Sequence, residues 1–210
     1  MWLDYFKADI DYLVGVDEAG RGPLAGPLAL GAVVFPRSGI EALRLALADY
    51  PAGKDSKKLS PRAREIWRSR ILSLKVAGHL NFAVTFVSPK FIDDYGMTRA
   101  LTYGLAKNLK KLNLDPTRTE LLLDGSLRGP VEYSKQRTII KGDESELIIG
   151  LASIVAKVTR DNYLSKIAKL YPLYNFEQHK GYGTKAHCEA LRRYGPCPIH
   201  RRSFLHRILS

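Results

Sequence analysis

The apolar positions of this chain recur with two different periods, and the switches between them divide it into elements. Residues 12–17 (YLVGVD) and 28–35 (LALGAVVF) are short runs of β-branched and aliphatic residues bounded by turn formers, and they predict two strands. Residues 40–50 (IEALRLALADY) change to helical spacing and stop before Pro51, where PAGKDSKKLSP (51–61) reads as a basic loop. Ser60-Pro61 opens the next helix, the serine as N-cap and the proline at the first helical position, and this helix runs to about Val76. Alternation over 79–88 (HLNFAVTFVS) predicts a third strand, and 96–112 an amphipathic helix. Residues 119–125 (TELLLDG) and 135–141 (KQRTIIK) predict strands four and five. Residues 144–172 read as one long helix stopped by Pro172, and 184–195 as a last helix with a glycine C-cap. Three early strands followed by alternating helices and strands predict an α/β fold: a five-stranded mixed sheet flanked by helices, with a helical C-terminal extension.

No internal repeat or low-complexity linker interrupts this pattern. One domain over residues 1–210 is expected, with a catalytic-core portion to about 172 and an extension over 173–210. No segment approaches ~20 uninterrupted apolar residues, which argues against a membrane span. The N-terminus is acidic where a secretory signal would be basic, so the cytoplasm is the expected compartment. Cys188 and Cys197 are the only cysteines, too few for a disulfide framework.

Charge narrows the picture. The net charge is +12, which suits a polyanionic partner, although a merely soluble basic surface would give the same sum. Its distribution favours nucleic acid: residues 180–210 hold seven Lys or Arg (Lys180, Lys185, Arg192, Arg193, Arg201, Arg202, Arg207) against Glu189 alone. Tyr182, Tyr194 and Phe204 lie among these charges, as expected for backbone contact combined with stacking.

The candidate chemistry lies in the acids at strand ends, where α/β sheets place their sites. Asp17 and Glu18 end the first strand, Asp124 the fourth, and Asp143 follows the fifth. Should strands one, four and five be neighbours, these four carboxylates meet, and like charges so placed need cations. Oxygen donors without His or Cys select Mg²⁺ or Mn²⁺, and two such ions would suit phosphodiester hydrolysis. Each acid also has a plainer reading. Asp124-Gly125 is a common turn pair, Asp143 with Glu146 forms a capping-box pattern, and Asp17 and Glu18 could sit on a surface turn. Asp161, four residues after Lys157 in a helix, is better explained as an ion pair.

Gly20-Arg21-Gly22-Pro23-Leu24-Ala25 fits the loose dinucleotide pattern GxGxxG/A, but the residues that follow read as a strand, where that motif needs a helix. No GxxxxGK[ST] phosphate loop occurs. Cys188, Cys197, His200 and His206 fit no short-spaced zinc finger, and nothing in the sequence brings them together as a Cys/His nucleophile pair.

The blocks VGVDEAGRGPLAGP (14–27), KDSKKLSPRAR (54–64), LLDG (122–125), KGD (141–143), ASIVAKVTRD (152–161), HKGYGTKAH (179–187) and GPCPIHRRSF (195–204) resemble the type 2 ribonucleases H. They stand in that family's order across most of the chain. Gly20-Arg21-Gly22, in place of a Gly-Thr-Gly-like element, and the lack of an additional N-terminal domain favour the bacterial ribonuclease HII type over ribonuclease HIII.

The resemblance implies an RNase H-like fold, dependence on Mn²⁺ or Mg²⁺, and endonucleolytic cleavage of RNA in RNA–DNA hybrids. It further implies incision 5′ of ribonucleotides embedded in duplex DNA, leaving 3′-hydroxyl and 5′-phosphate ends, with roles in ribonucleotide excision repair and RNA primer removal. The expected partners are hybrid and ribonucleotide-containing duplexes, the expected state a monomer. By motif match, Asp17, Glu18, Asp124 and Asp143 are implied as catalytic metal ligands, Gly20, Arg21 and Gly22 as contacts to the 2′-OH, and Tyr182 as a stacking partner for the next sugar. The 2′-OH is the one local feature that separates RNA from DNA at a single position, so a close-approaching glycine backbone suits that role. Lys57, Lys58, Lys180 and Lys185 are candidate phosphate contacts or else solvated loop lysines, and Ser153 and Lys157, which share a helix face, either touch phosphate or orient the acids. Two other functions remain open: a non-catalytic nucleic-acid-binding protein whose acids only cap and turn, and a related nuclease or integrase on the same fold.

Overall fold

A computed structural model describes residues 6–50 and 59–209. Strands β1 (Tyr12–Ala19), β2 (Leu28–Pro36), β3 (Asn81–Val87), β4 (Thr119–Asp124) and β5 (Gln136–Ile139) form one sheet in the order β3-β2-β1-β4-β5. The first three strands run antiparallel, while β4 and β5 continue parallel to β1, so the sheet is mixed as expected. The helices are α1 (Ile40–Ala46), α2 (Pro61–Val76), α3 (Pro89–Leu112), α4 (Gly142–Ser145), α5 (Leu147–Ile167), α6 (Phe176–His179), α7 (Lys185–Tyr194) and α8 (His206–Leu209).

Period-two alternation sends successive strand residues to opposite faces. Leu13, Val33, Phe35 and Leu122 pack against α2 and α5, whereas Val14, Val16, Leu30, Ala32, Leu121 and Leu123 pack against α3. Gly15 and Asp17 follow Leu13 in the same alternation, and Asp124 follows Leu122, so both acids emerge on the α5 side. The helix lies very close to the sheet there. A Cβ on Gly15 would stand 2.5 Å from the Ile148 carbonyl carbon, and one on Gly31 2.4 Å from the Ala152 oxygen.

Some boundaries differ from those expected, each for a local reason. Helix α2 matches, with Ser60 accepting from the Ala63 N–H. Helix α3 begins seven residues before the expected start at 96: Ser88-Pro89 repeats the same start signal, and Gly96 (φ 80°) is absorbed as a kink. The expected helix over 144–172 is interrupted at Glu146 (φ −113°, ψ 114°), and its α-helical part ends at Ile167 before two 3₁₀ turns. Helix α1 stops at Ala46, short of Tyr50. Beyond α5, Leu24, Ala25, Leu164, Tyr174, Phe176, Leu191 and Leu205 form a further apolar cluster that joins the C-terminal elements to the chain just before β2.

Candidate active site

The register of the sheet builds the acid cluster. Val16 pairs with Leu123 in the parallel β1–β4 ladder, so Asp17 and Asp124 are the next residues of two adjacent strands. Asp124 in turn pairs with Ile139 of β5, whose continuation carries Asp143 into α4. Asp124 Oδ1 accepts hydrogen bonds from Gly142 N (2.7 Å) and Asp143 N (3.4 Å), which ties the ends of β4 and β5 together. Asp124-Gly125 is therefore a turn, with Gly125 at φ 59°, while the Asp124 side chain also faces the ends of β1 and β5. The capping reading of Asp143 does not hold: Lys141 occupies the N-cap of α4 and Glu146 that of α5, while Asp143 is buried within α4.

Asp17 is 1% exposed. Its Oδ1 accepts from Glu18 N at 2.7 Å, but its Oδ2 is buried with no hydrogen-bond partner. Burial raises the Asp17 carboxyl well above the ordinary carboxylate range, and the charges of Glu18 and Asp124 push the same way, against a lowering hydrogen bond from Ser153. An orphaned buried oxygen costs about 1–3 kcal/mol. A hard divalent cation at Asp17 would remove that cost, and the all-oxygen donor set fits Mg²⁺ or Mn²⁺. The four acids are contiguous neighbours rather than a closed ligand set: among the described residues, no three His, Cys, Asp or Glu side chains stand close enough to hold an ion between them. The same holds for Cys188, Cys197, His200 and His206, and His200 Nδ1 instead accepts from the Cys197 N–H at 2.9 Å.

Next to the acids, a cavity of ≈ 210 Å³ is lined by Glu18, Ala19, Gly20, Arg21, Gly22, Ser153, Lys157 and Tyr182. Glu18 pairs with Arg21 (Oε1 to Nε 3.2 Å), so the arginine answers one of the two adjacent carboxylates. Gly20 turns the chain at φ +91°, and a Cβ there would meet the Arg160 side chain at 2.1 Å. Gly22 faces open space. Lys157 lies 5.9 Å from the Tyr182 ring and pairs with Asp161 at 2.9 Å, the ion pair expected for that acid. Lys180 bonds Ser165 Oγ at 2.5 Å, and Lys185 is exposed at the start of α7; neither lines the cavity. Lys57 and Lys58 lie outside the described residues.

Sequence reasoning missed the layer beneath this cavity. Arg160 and Arg201 are both fully buried, so Arg201 is not part of the solvent-facing basic tail in which it was counted. Arg160 donates to the carbonyls of Pro27 (2.9 Å), Ala25 (3.0 Å) and Lys180 (3.0 Å). Arg201 donates to those of Gly20 (2.6 Å), Arg21 (2.9 Å) and Gly26 (2.9 Å). Burial lowers Arg201 to about 9, with further repulsion from Arg160.

Three histidines hold the segment that carries Tyr182. His187 Nδ1 lies 2.8 Å from the Tyr182 carbonyl and its Nε2 lies 3.0 Å from His200 Nε2. Because the Tyr182 oxygen can only accept, His187 carries its proton on Nδ1, and His200 donates through Nε2. His179 Nδ1 accepts from Gly181 N at 3.2 Å, and its ring stacks on His187 at 4.3 Å. In the sequence Arg160 stands among Lys157, Thr159, Asp161 and Asn162 and reads as one more solvated helix charge, and Arg201 is indistinguishable from its basic neighbours.

Comparison with known proteins gives this architecture a class. The crystal structure of the ribonuclease H2 from Pyrococcus horikoshii OT3 is 27% identical with a TM-score of 0.63, covering 94% of this chain and 97% of that one. A Bst-RNase HIII structure in complex with Mn²⁺ shares the fold at a TM-score of 0.60 and 16% identity, covering 91% of this chain and 65% of that one. The fold is thus RNase H-like, shared with these ribonucleases H. The family follows from sequence. The Ribonuclease HII family model matches residues 14–207. A Ribonuclease HII of Caldicellulosiruptor bescii is 44% identical over 200 residues, covering 95% of this chain and 89% of the relative. The chain belongs to the ribonuclease HII family, which makes it a hydrolase, an endoribonuclease acting on RNA–DNA hybrids. Among the described residues no helix is long and apolar enough to cross a membrane.

Proposed function

We propose that this ribonuclease also incises duplex DNA on the 5′ side of an embedded ribonucleotide, leaving a 3′-hydroxyl and a 5′-phosphate, as a step in ribonucleotide excision repair and RNA primer removal. Asp17, Glu18, Asp124 and Asp143 would hold Mg²⁺ or Mn²⁺. The metal, two ions in the full mechanism, supplies Lewis acidity toward the scissile phosphate and an activated water. The observation that carries this reading is Asp17: a buried carboxylate with an unpartnered oxygen, beside Glu18 and next in register to Asp124.

The chain's own residues divide the remaining work. Gly20, Arg21 and Gly22 bring main-chain donors and acceptors up to the ribose, where the 2′-OH identifies the ribonucleotide. The exposed Tyr182 ring packs on the following sugar, a deoxyribose at an RNA-to-DNA junction, and the cavity between Tyr182 and the glycine turn holds the junction. Lys157 and Ser153 line that cavity as phosphate donors, Lys180 and Lys185 extend the basic surface, and Lys57 and Lys58 are assigned the same phosphate role from sequence alone. The ends of β1, β4 and β5 fix the acids on a rigid frame, so little reorganisation is needed when charge develops on the phosphate. The protein acts as a monomer in the cytoplasm.

Asp124→Asn is the direct test. The amide keeps the Oδ1 acceptor for Gly142 N but loses the charge, so incision at a single ribonucleotide should fall by at least about 10³-fold while duplex binding is retained. Product-end mapping on a duplex carrying one ribonucleotide provides the readout. Near-normal incision by this variant would refute the four-acid site, and cleavage of all-DNA duplex by the parent would point to a different nuclease activity.

A further inference from the structure

We propose that Arg201, on the C-terminal segment, is a positioning residue for ribonucleotide recognition: it fixes the peptide planes of the 20–22 turn so that the N–H groups of Arg21 and Gly22 face the substrate. The proposal rests on the reading above, in which this turn contacts the 2′-OH.

The argument is one of peptide geometry. Arg201 accepts nothing and donates to the carbonyls of Gly20, Arg21 and Gly26 from one planar guanidinium. There are no cis peptide bonds among the described residues, and in a trans peptide the C=O and the following N–H point in opposite directions. With the Gly20 and Arg21 oxygens drawn inward to Arg201, the Arg21 and Gly22 N–H groups are turned outward. That side is the open one: Arg21 and Gly22 are exposed and line the cavity with Tyr182. The turn cannot hold this arrangement by itself, since Gly20 sits at φ +91° and glycine flanks give the peptides wide freedom.

The segment bearing Arg201 is itself docked. Arg201 N donates to Leu24 O at 2.8 Å, Gly26 N to Ile199 O at 2.8 Å, and Ala25 bridges His200. From the other side, the Asp93 carboxylate of α3 accepts from Arg202 N (2.9 Å) and Ser203 N (3.0 Å). Arg160 completes the cradle through Ala25, Pro27 and Lys180, which links the glycine turn to the segment carrying Tyr182. A lysine at 201 would keep the charge but could not span three carbonyls with a planar fork.

The test measures binding of two duplexes, one with a single ribonucleotide and one all-DNA, each in the Asp124→Asn background to prevent turnover. Arg201→Lys should reduce the preference for the ribonucleotide duplex about tenfold, the worth of a lost hydrogen bond or two. Affinity for the all-DNA duplex should stay unchanged, because phosphate contacts carry it. A merely structural role predicts a lower melting temperature with the preference intact, and that result would overturn the proposal. Should Arg201→Lys fail to fold, Asp93→Asn loosens the same segment without touching Arg201; an undiminished preference there would be equally fatal. If the parent itself binds both duplexes alike, the 2′-OH reading of the turn fails, a result distinct from failure of the Arg201 role.

Discussion

Asp17 shows how a residue can be read twice. In the sequence it is an acid at the end of an apolar strand, with a neighbour of like charge, and that pairing alone pointed to a cation. In the structure its cost becomes explicit: burial and the charges of Glu18 and Asp124 hold its carboxyl well above the normal range. A carboxyl raised in the folded state contributes fully below its unfolded value and loses that contribution as pH rises from there through the folded one. At pH 8 without metal, Asp17→Asn should therefore be more stable than the parent by about 1–3 kcal/mol, a rise of several degrees in melting temperature. The same substitution should cancel the thermal stabilisation produced by Mn²⁺, which the parent gains by mass action. Thermal unfolding with and without Mn²⁺ checks both parts. A lower metal-free midpoint for the variant would mean that protein groups already compensate the Asp17 charge.

At the scale of elements, most of the fold was legible because strand and helix periods alternate along the chain, and the site because acids stand at the ends of β1 and β4 and just past β5. The neighbouring of β1, β4 and β5 could only be stated as a condition, since no single-sequence period reports pairing order. Helix starts are legible where Ser60-Pro61 announces one; Ser88-Pro89 carries the same signal, but the apolar period over 96–112 marks only the part beyond Gly96, and packing against the sheet carries α3 through that glycine. The close approach of α5 was not legible at all. Gly15 and Gly31 look like ordinary strand glycines, but a Cβ on either would stand within 2.5 Å of α5 backbone. Gly15→Ala should cost about 3 kcal/mol or more, since backbone cannot yield as a side chain can. The loss should fall on incision as well as stability, because Asp17 lies two residues further along the same face of β1. Chemical denaturation measures the first effect; a variant within about 0.5 kcal/mol of the parent would show that α5 can shift outward freely.

Over the whole molecule, the C-terminal residues serve a purpose that composition misread. The charge excess over 180–210 looked uniformly like a nucleic-acid surface, but Arg201 is spent inside, and His187 and His200 bind the C-terminal segment to the loop bearing Tyr182. Charge counting cannot separate a buried guanidinium from an exposed one, nor can a lone histidine announce its partners. This network has a pH signature. Burial lowers His187 and His200 to about 4 each, from an ordinary value near 6.5. Between these limits the unfolded chain binds protons that the native one refuses, so stability is full above about 6.5, falls as pH drops, and levels off below about 4. Protonation of His187 also sets two N–H donors against each other across the 3.0 Å contact, and protonation of His200 sets its Nδ1–H against the Cys197 N–H. Asp17 titrates in the opposite sense, so the comparison must be between the parent and a variant that differs only in this network. His200→Phe keeps an aromatic ring beside Tyr174 and Phe176 while removing one titrating group. It should be about 1–3 kcal/mol less stable than the parent at pH 8, where it orphans the Cys197 N–H and His187 Nε2. The gap should narrow towards pH 4, because the parent loses a contribution that the variant lacks. Urea midpoints at pH 8, 6 and 4 measure that gap, and a constant difference across the series would mean that these histidines do not carry the acid sensitivity of the fold.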